Sequence, residues 1–129
     1  MKVLIVDDDA MARLILRQVL QRNFGAVVTE VPNGLEALVA VEAEDFDLII
    51  LDLRMPVMDG LTVLQTIRAT PKHARTPVVI LTADRKEENV YRSINLGVSD
   101  YLTKPFRGKE IAERLGQVMG QAVAGVGRS

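Results

Sequence analysis

The chain of 129 residues has no cysteine and a single histidine. Without cysteine there is no disulfide framework, no thiol nucleophile and no zinc–thiolate centre. One histidine excludes a histidine-rich metal site and argues against a histidine-based catalytic triad. Long hydrophobic runs are missing too: none approaches the ~18 residues that read as a membrane-spanning helix. The opening stretch Met1–Asp7 is too short and turns acidic too soon for a secretory signal. Charge of one sign is also lacking. Lys plus Arg is 16 and Asp plus Glu is 17, a net charge of −1 with histidine neutral. That balance carries no electrostatic footprint for nucleic acid, so neither nucleic acid nor membrane is expected as a direct partner. What is present is an ordinary globular mixture, 48% apolar and 26% charged, which argues against disorder. The length is that of one domain and supports a core without staples. The expectation is a soluble cytoplasmic domain.

Apolar runs and helical patterns alternate along the whole chain. Five short runs, Lys2–Val6, Ala26–Val31, Leu48–Leu51, Pro77–Thr82 and Val98–Leu102, have the length and Val/Ile content of strands. Between and after them apolar residues return at helical spacing: Met11, Leu14, Ile15 and Val19; Leu35, Leu38 and Val39; Leu61, Val63, Leu64 and Ile67; Val90 and Ile94; Ile111, Leu115, Val118 and Met119. The punctuation agrees. Asn33 with Glu36, and Asp84 with Glu87, have capping-box spacing, and Asp9 and Asp59 are further candidate caps. Gly25 and Gly97 stand where a left-handed residue ends a helix. Strict strand–helix alternation with continuously apolar strands predicts a parallel sheet covered on both faces by five helices. The expected architecture is a flavodoxin-like, doubly wound α/β fold with strand order 2-1-3-4-5. Its site should lie at the carboxyl ends of the strands.

Those strand ends are where the polar residues gather. Asp7-Asp8-Asp9 ends the first strand, Asp52 the third and Thr82-Ala83 the fourth; Lys104-Pro105 follows the fifth. Two like charges 4 Å apart repel by about 4 kcal/mol at an effective dielectric near 20. Asp7, Asp8 and Asp52 therefore need compensating cations. Lys104 supplies one, and a hard divalent cation with oxygen ligands suits the rest. A carboxylate beside such a cation, with the Thr82 hydroxyl and the Lys104 ammonium nearby, suits receipt of a phosphoryl group.

Taken together, Val6-Asp7-Asp8, Leu51-Asp52-Leu53-Arg54-Met55-Pro56, Met58-Asp59-Gly60, Leu81-Thr82-Ala83 and Tyr101-Leu102-Thr103-Lys104-Pro105-Phe106 resemble the receiver domain of two-component response regulators, the chemotaxis receiver among them. The match covers about residues 2–119. Asp52 follows Asp8 by 44 residues, Thr82 follows Asp52 by 30 and Lys104 follows Thr82 by 22, spacings that agree with the family. The resemblance implies that Asp52 is the phosphoacceptor and that Asp7 and Asp8 hold Mg²⁺, with Asp52 and the backbone carbonyl of Arg54 completing the site. It implies that Lys104 pairs with the phosphoryl group, that Thr82 and Tyr101 switch with it, and that small Ala83 leaves the site open. Lys104–Pro105 is expected to be a cis peptide. The implied partners are a histidine kinase or histidine phosphotransfer protein, and a downstream protein or second copy meeting the face of helix 4, strand 5 and helix 5. Such a domain is no turnover enzyme; it catalyses only its own phosphorylation and dephosphorylation.

The boundaries expected are a receiver over residues 1–120 and a flexible tail, or the start of a linker, over 121–129. Alternatives remain beside the leading reading: a receiver excised from a larger regulator whose effector domain is absent, or a receiver-like scaffold that takes no phosphate. An aspartyl-phosphate phosphatase resembling the haloacid dehalogenases would need an acid two residues after Asp52, where Arg54 stands. Flavin binding is opposed by three carboxylates in the first loop. Asp9, Asp59 and Gly60 are expected to be structural, Met55 and Met58 to pack the loop, and His73 to lie on the surface.

Overall fold

The computed structural model describes residues 1–55, 57–83, 86 and 96–127. Five strands, β1 (Lys2–Val6), β2 (Val27–Val31), β3 (Leu48–Asp52), β4 (Val78–Thr82) and β5 (Asp100–Thr103), form one sheet in the order β2-β1-β3-β4-β5. Every neighbouring pair is parallel. Helices α1 (Ala10–Phe24), α2 (Gly34–Ala43), α3 (Gly60–Ala69) and α4 (Gly108–Gly127), with a 3₁₀ turn at Pro71–His73, complete the described elements. The flavodoxin-like fold expected from the alternation is the one observed. The expected helix carrying Val90 and Ile94, and the Asp84–Glu87 cap before it, lie outside the described residues, as does Pro56.

Period-two alternation within continuously apolar strands builds two cores at once. Val3, Ile5, Leu48, Ile50, Val79 and Leu81 face α1 and α4, meeting Leu16, Leu20, Ile111 and Leu115. Leu4, Val6, Ile49, Leu51, Val78 and Ile80 face α2 and α3, meeting Ala37, Val41, Val63, Leu64 and Ile67. Each such fully buried aliphatic side chain contributes about 1.5–3 kcal/mol, so β1, β3 and β4 are fixed in register from both faces. The chain moves outward from β1 to β2 and then crosses back to β3. Right-handed crossovers therefore put α1 on one face and α2 and α3 on the other.

The caps follow the sequence. Asp9 accepts from Met11 N at 3.0 Å, Asn33 from Glu36 N at 2.9 Å and Asp59 from Thr62 N at 2.9 Å. Gly25 and Gly97 have φ of 59° and 68°. Three expectations are corrected. Continuous burial fails at the sheet edge: Val27 of β2 is exposed, because no strand lies beyond it. The fifth strand starts at Asp100, after Gly97. His73 is not on the surface but fully buried. Its Nε2 meets the Glu44 carbonyl at 3.0 Å and its Nδ1 the Thr76 hydroxyl at 2.9 Å. Its ring stacks on Phe46 at 6.0 Å between centroids. The 3₁₀ turn folds the ring inward, which a polar sequence context did not signal. Helix α4 runs from Gly108 to Gly127. No described helix is long and apolar enough to cross a membrane.

Candidate functional site

Parallel strands end together, so the residues that follow β1, β3, β4 and β5 share one rim. In register, Val6 pairs with Leu51, and Asp52 with Leu81. Asp7 follows Val6, so it stands beside Asp52. Carboxylate oxygens of Asp7, Asp8 and Asp52 lie within 4.8 Å of one another. Asp7 is fully buried, Asp52 is 4% exposed, and Asp8 opens to solvent. Lys104 reaches in from beyond β5, because its N–H is fixed to the Thr82 carbonyl at 2.8 Å. Its Nζ stands 2.8 Å from Asp7 Oδ2 and 3.2 Å from Asp52 Oδ2.

The charges are not balanced. Three carboxylates face one ammonium. Burial, and then the charge of Asp7, push the Asp52 carboxyl up from 3.8 to about 6, although Lys104 and the Arg54 N–H pull the other way. Burial acts to lower the Lys104 ammonium, but the hydrogen bond and charge of Asp7 and the charge of Asp52 outweigh it and leave its pKa raised. Asp7 Oδ1 accepts from Asp9 N at 2.9 Å. Its buried Oδ2 meets the Lys104 ammonium at 2.8 Å and, among the described residues, has no other donor. A buried carboxylate oxygen met by one ammonium, within reach of two other carboxylates, is the donor chemistry of a hard-cation site.

The loop after β3 borders the rim. Arg54 N donates to Asp52 Oδ1 at 3.2 Å, while the Arg54 side chain is exposed. Gly60 begins α3 directly against β3. A Cβ there would lie 2.7 Å from Leu53 Cα and 3.0 Å from the Asp52 carbonyl, so a glycine is required by close approach. Val57 in this loop has φ of 77° and is 80% exposed.

The other expected site residues are arranged as follows. Thr82 is buried at the end of β4, one position beyond Leu81, the partner of Asp52. Ala83 follows it, exposed. The Lys104–Pro105 peptide is cis. Tyr101 stands apart from the acids: it pairs with Ile80 and is 4% exposed within the core on the α2–α3 face. Sequence reasoning missed Arg13, whose Nη1 donates to the Asp7 carbonyl at 2.6 Å. Its place one turn after the Asp9 cap was a weak signal. That it bonds a main-chain oxygen is not encoded in any spacing.

An open parallel sheet of this order with three carboxylates and a lysine at its switch point is a doubly wound α/β domain with a candidate hard-cation site. Residues 3–116 match the response regulator receiver domain, and the chain belongs to that family of signalling domains. It is 38% identical to the transcriptional regulatory protein ResD of Bacillus subtilis over 94% of its length, and spans 49% of that relative. It is 37% identical to the chemotaxis protein CheY-3 of Vibrio cholerae, covering 92% of this chain and 91% of that one. Among solved structures it is similar to the receiver domain of sensor histidine kinase PA1611 of Pseudomonas aeruginosa, determined with a magnesium ion coordinated in the active-site cleft. There the identity is 32% and the TM-score 0.80, over 92% of this chain and 97% of that one.

Proposed function

We propose that this domain takes a phosphoryl group from a phosphohistidine on a partner onto Asp52, and that the acyl phosphate shifts its conformation and contacts. The observation that carries the reading is the buried Asp52 carboxylate, 3.2 Å from Lys104 and in one cluster with Asp7 and Asp8. An Asp52 oxygen attacks phosphorus; the new P–O bond forms as the P–N bond to the donor imidazole breaks, and the bonding pair stays on that nitrogen. Mg²⁺, held by Asp7, Asp8, Asp52 and the Arg54 carbonyl, would supply charge neutralisation for the transferring oxygens. Lys104, already at Asp52, then pairs with a phosphoryl oxygen. Thr82 hydrogen-bonds a second, and Ala83 leaves the entry unobstructed. Tyr101, buried two positions before the Lys104 backbone's own neighbour Thr103, follows Thr82 as the switch is thrown. A switch of this kind works by contacts made only when the phosphoryl group is present.

The donor is a histidine kinase or histidine phosphotransfer protein. Exposed Met11, with Ile15, Pro105 and Phe106, lines an apolar cavity of about 210 Å³ beside Lys104, which suits an apolar side chain of the donor. Output passes through β5, α4 and the segment before β5, to a downstream protein or a second copy. The setting is cytoplasmic.

The test is intact mass after incubation with a small acyl phosphate and Mg²⁺. One phosphoryl group is expected on the parent protein, and none on Asp52→Asn or after Mg²⁺ removal. Equal labelling of Asp52→Asn removes Asp52 from its role. No labelling by acyl phosphate or by a phosphorylated histidine donor turns the reading to an unphosphorylated scaffold.

A further inference from the structure

Arg13 reaches the acid rim without belonging to it. It projects from the first turn of α1, and its Nη1 donates to the Asp7 carbonyl at 2.6 Å. Its Nε lies 3.4 Å from Glu30 Oε1 on β2, and the other Glu30 oxygen takes Arg17 Nη1 at 2.6 Å. Arg13 and Glu30 are only 20% and 23% exposed in their side chains. Glu30 is itself fixed by its register opposite Ile5.

The carbonyl that Arg13 holds belongs to the peptide joining Asp7 to Asp8. That unit is planar, so its rotation sets the direction in which the Asp8 side chain leaves the backbone. The Asp7 N–H is tied to the Val31 carbonyl at 3.2 Å, and Asp7 Oδ1 to the Asp9 N–H at 2.9 Å. Arg13 is the third tie, and the one that acts on the Asp7–Asp8 plane.

We propose that Arg13, braced by Glu30, is a positioning residue for the Asp7–Asp8 pair: it holds the intervening peptide so that both carboxylates face one divalent cation. This rests on the reading of Asp7 and Asp8 as the metal pair. The charge of Arg13 and its hydrogen bond act in opposite directions. A guanidinium near the rim repels a second cation, so removing charge alone tightens Mg²⁺ binding. Removing the tie loosens it. The sign of the change therefore separates the two roles.

The experiment is calorimetric titration of the full chain with Mg²⁺ at fixed ionic strength, with thermal unfolding in EDTA and in saturating Mg²⁺. Arg13→Met should weaken Mg²⁺ about tenfold, the low end for partners that orient ligands, and should shrink the rise in Tm that Mg²⁺ gives. Arg13→Lys keeps the charge but cannot grip the carbonyl and Glu30 together; about threefold weakening is expected. Arg17→Met removes a cation from the same carboxylate without touching Asp7, and should bind as tightly as the parent or tighter. Unchanged or tighter binding by Arg13→Met, with Tm lowered equally in both conditions, overturns the proposal and leaves Arg13 a fold-stabilising residue. If Arg13→Met does not fold, parental affinity in Arg13→Lys overturns it. A parent protein that binds no Mg²⁺ is a different failure, that of the metal reading itself.

Discussion

Lys104 Nζ stands 2.8 Å from Asp7 Oδ2, so the side chain that follows the edge strand β5 neutralises the carboxylate that follows the central strand β1. The same ammonium is 3.2 Å from Asp52 Oδ2. One cation thus serves two buried acids, in the space a second cation would approach.

The first prediction concerns that competition. Lys104→Met should tighten Mg²⁺ binding about fivefold, on the order of 1 kcal/mol, because a charge some 4 Å away no longer opposes it. Calorimetric titration reads this directly. Weaker binding would mean that Lys104 supports the acid cluster rather than competing within it.

Asp52 should make metal-free stability depend on pH. Its folded pKa, about 6, is above the ordinary 3.8. Between those values the folded state binds more protons than the unfolded state, so stability falls as pH rises through that window. Asp52→Asn lacks the penalty. Its advantage over the parent should be small near pH 4, grow to about 1–3 kcal/mol by pH 7 and then level off. Saturating Mg²⁺ should shrink it. Urea unfolding of both proteins across pH 4–8 in EDTA measures the gap; a flat difference would show that Asp52 is no more strained folded than unfolded.

Asp8 is exposed while Asp7 and Asp52 are buried. Asp8→Ala should therefore leave the unfolding free energy within about 0.5 kcal/mol of the parent, yet weaken Mg²⁺ about tenfold or more by loss of a charged ligand. Unchanged affinity would move the cation away from this cluster.

Val57 carries a β-branched side chain at φ of 77° with 80% of its surface exposed. The left-handed region costs such a residue about 1–2 kcal/mol, and little packing would be lost with it. Val57→Asn should stabilise the protein by about 1 kcal/mol, since asparagine tolerates this conformation. Chemical unfolding is the assay, and destabilisation would show that Val57 makes a contact the strain serves.

His73→Ala should cost about 2–4 kcal/mol by leaving a cavity and unpairing Thr76 and the Glu44 carbonyl. Phosphoryl uptake by the folded protein should be unchanged, because His73 lies at the opposite end of the sheet from the acids, before β4 rather than after it. A loss of less than 0.5 kcal/mol, roughly the surface range, would contradict its burial.

Much of the domain was legible in one dimension. The short Val/Ile/Leu runs specify β1, β3 and β4, because a strand buried on both faces has to be apolar at every position. Asp9, Asn33 and Asp59 mark helix starts, because a short polar side chain is what an open N–H needs. Asp7, Asp8, Asp52, Thr82 and Lys104 stand out because each ends a predicted strand or follows one within two residues, and parallel strands bring their ends to one rim. Local sequence therefore determined the elements, their order and the residues that meet there. The tertiary structure alone decided how they meet. Lys104 lies between Asp7 and Asp52 because its own N–H is tied to Thr82 across the sheet. Arg13 grips the Asp7 carbonyl because Glu30 braces it from β2. His73 turns inward because Glu44 and Phe46, 29 and 27 residues earlier, supply its acceptor and its stacking face. Most of these contacts run through main-chain oxygens or ring faces. Such groups are borne by many residues, so no spacing along the sequence can announce which of them will pair.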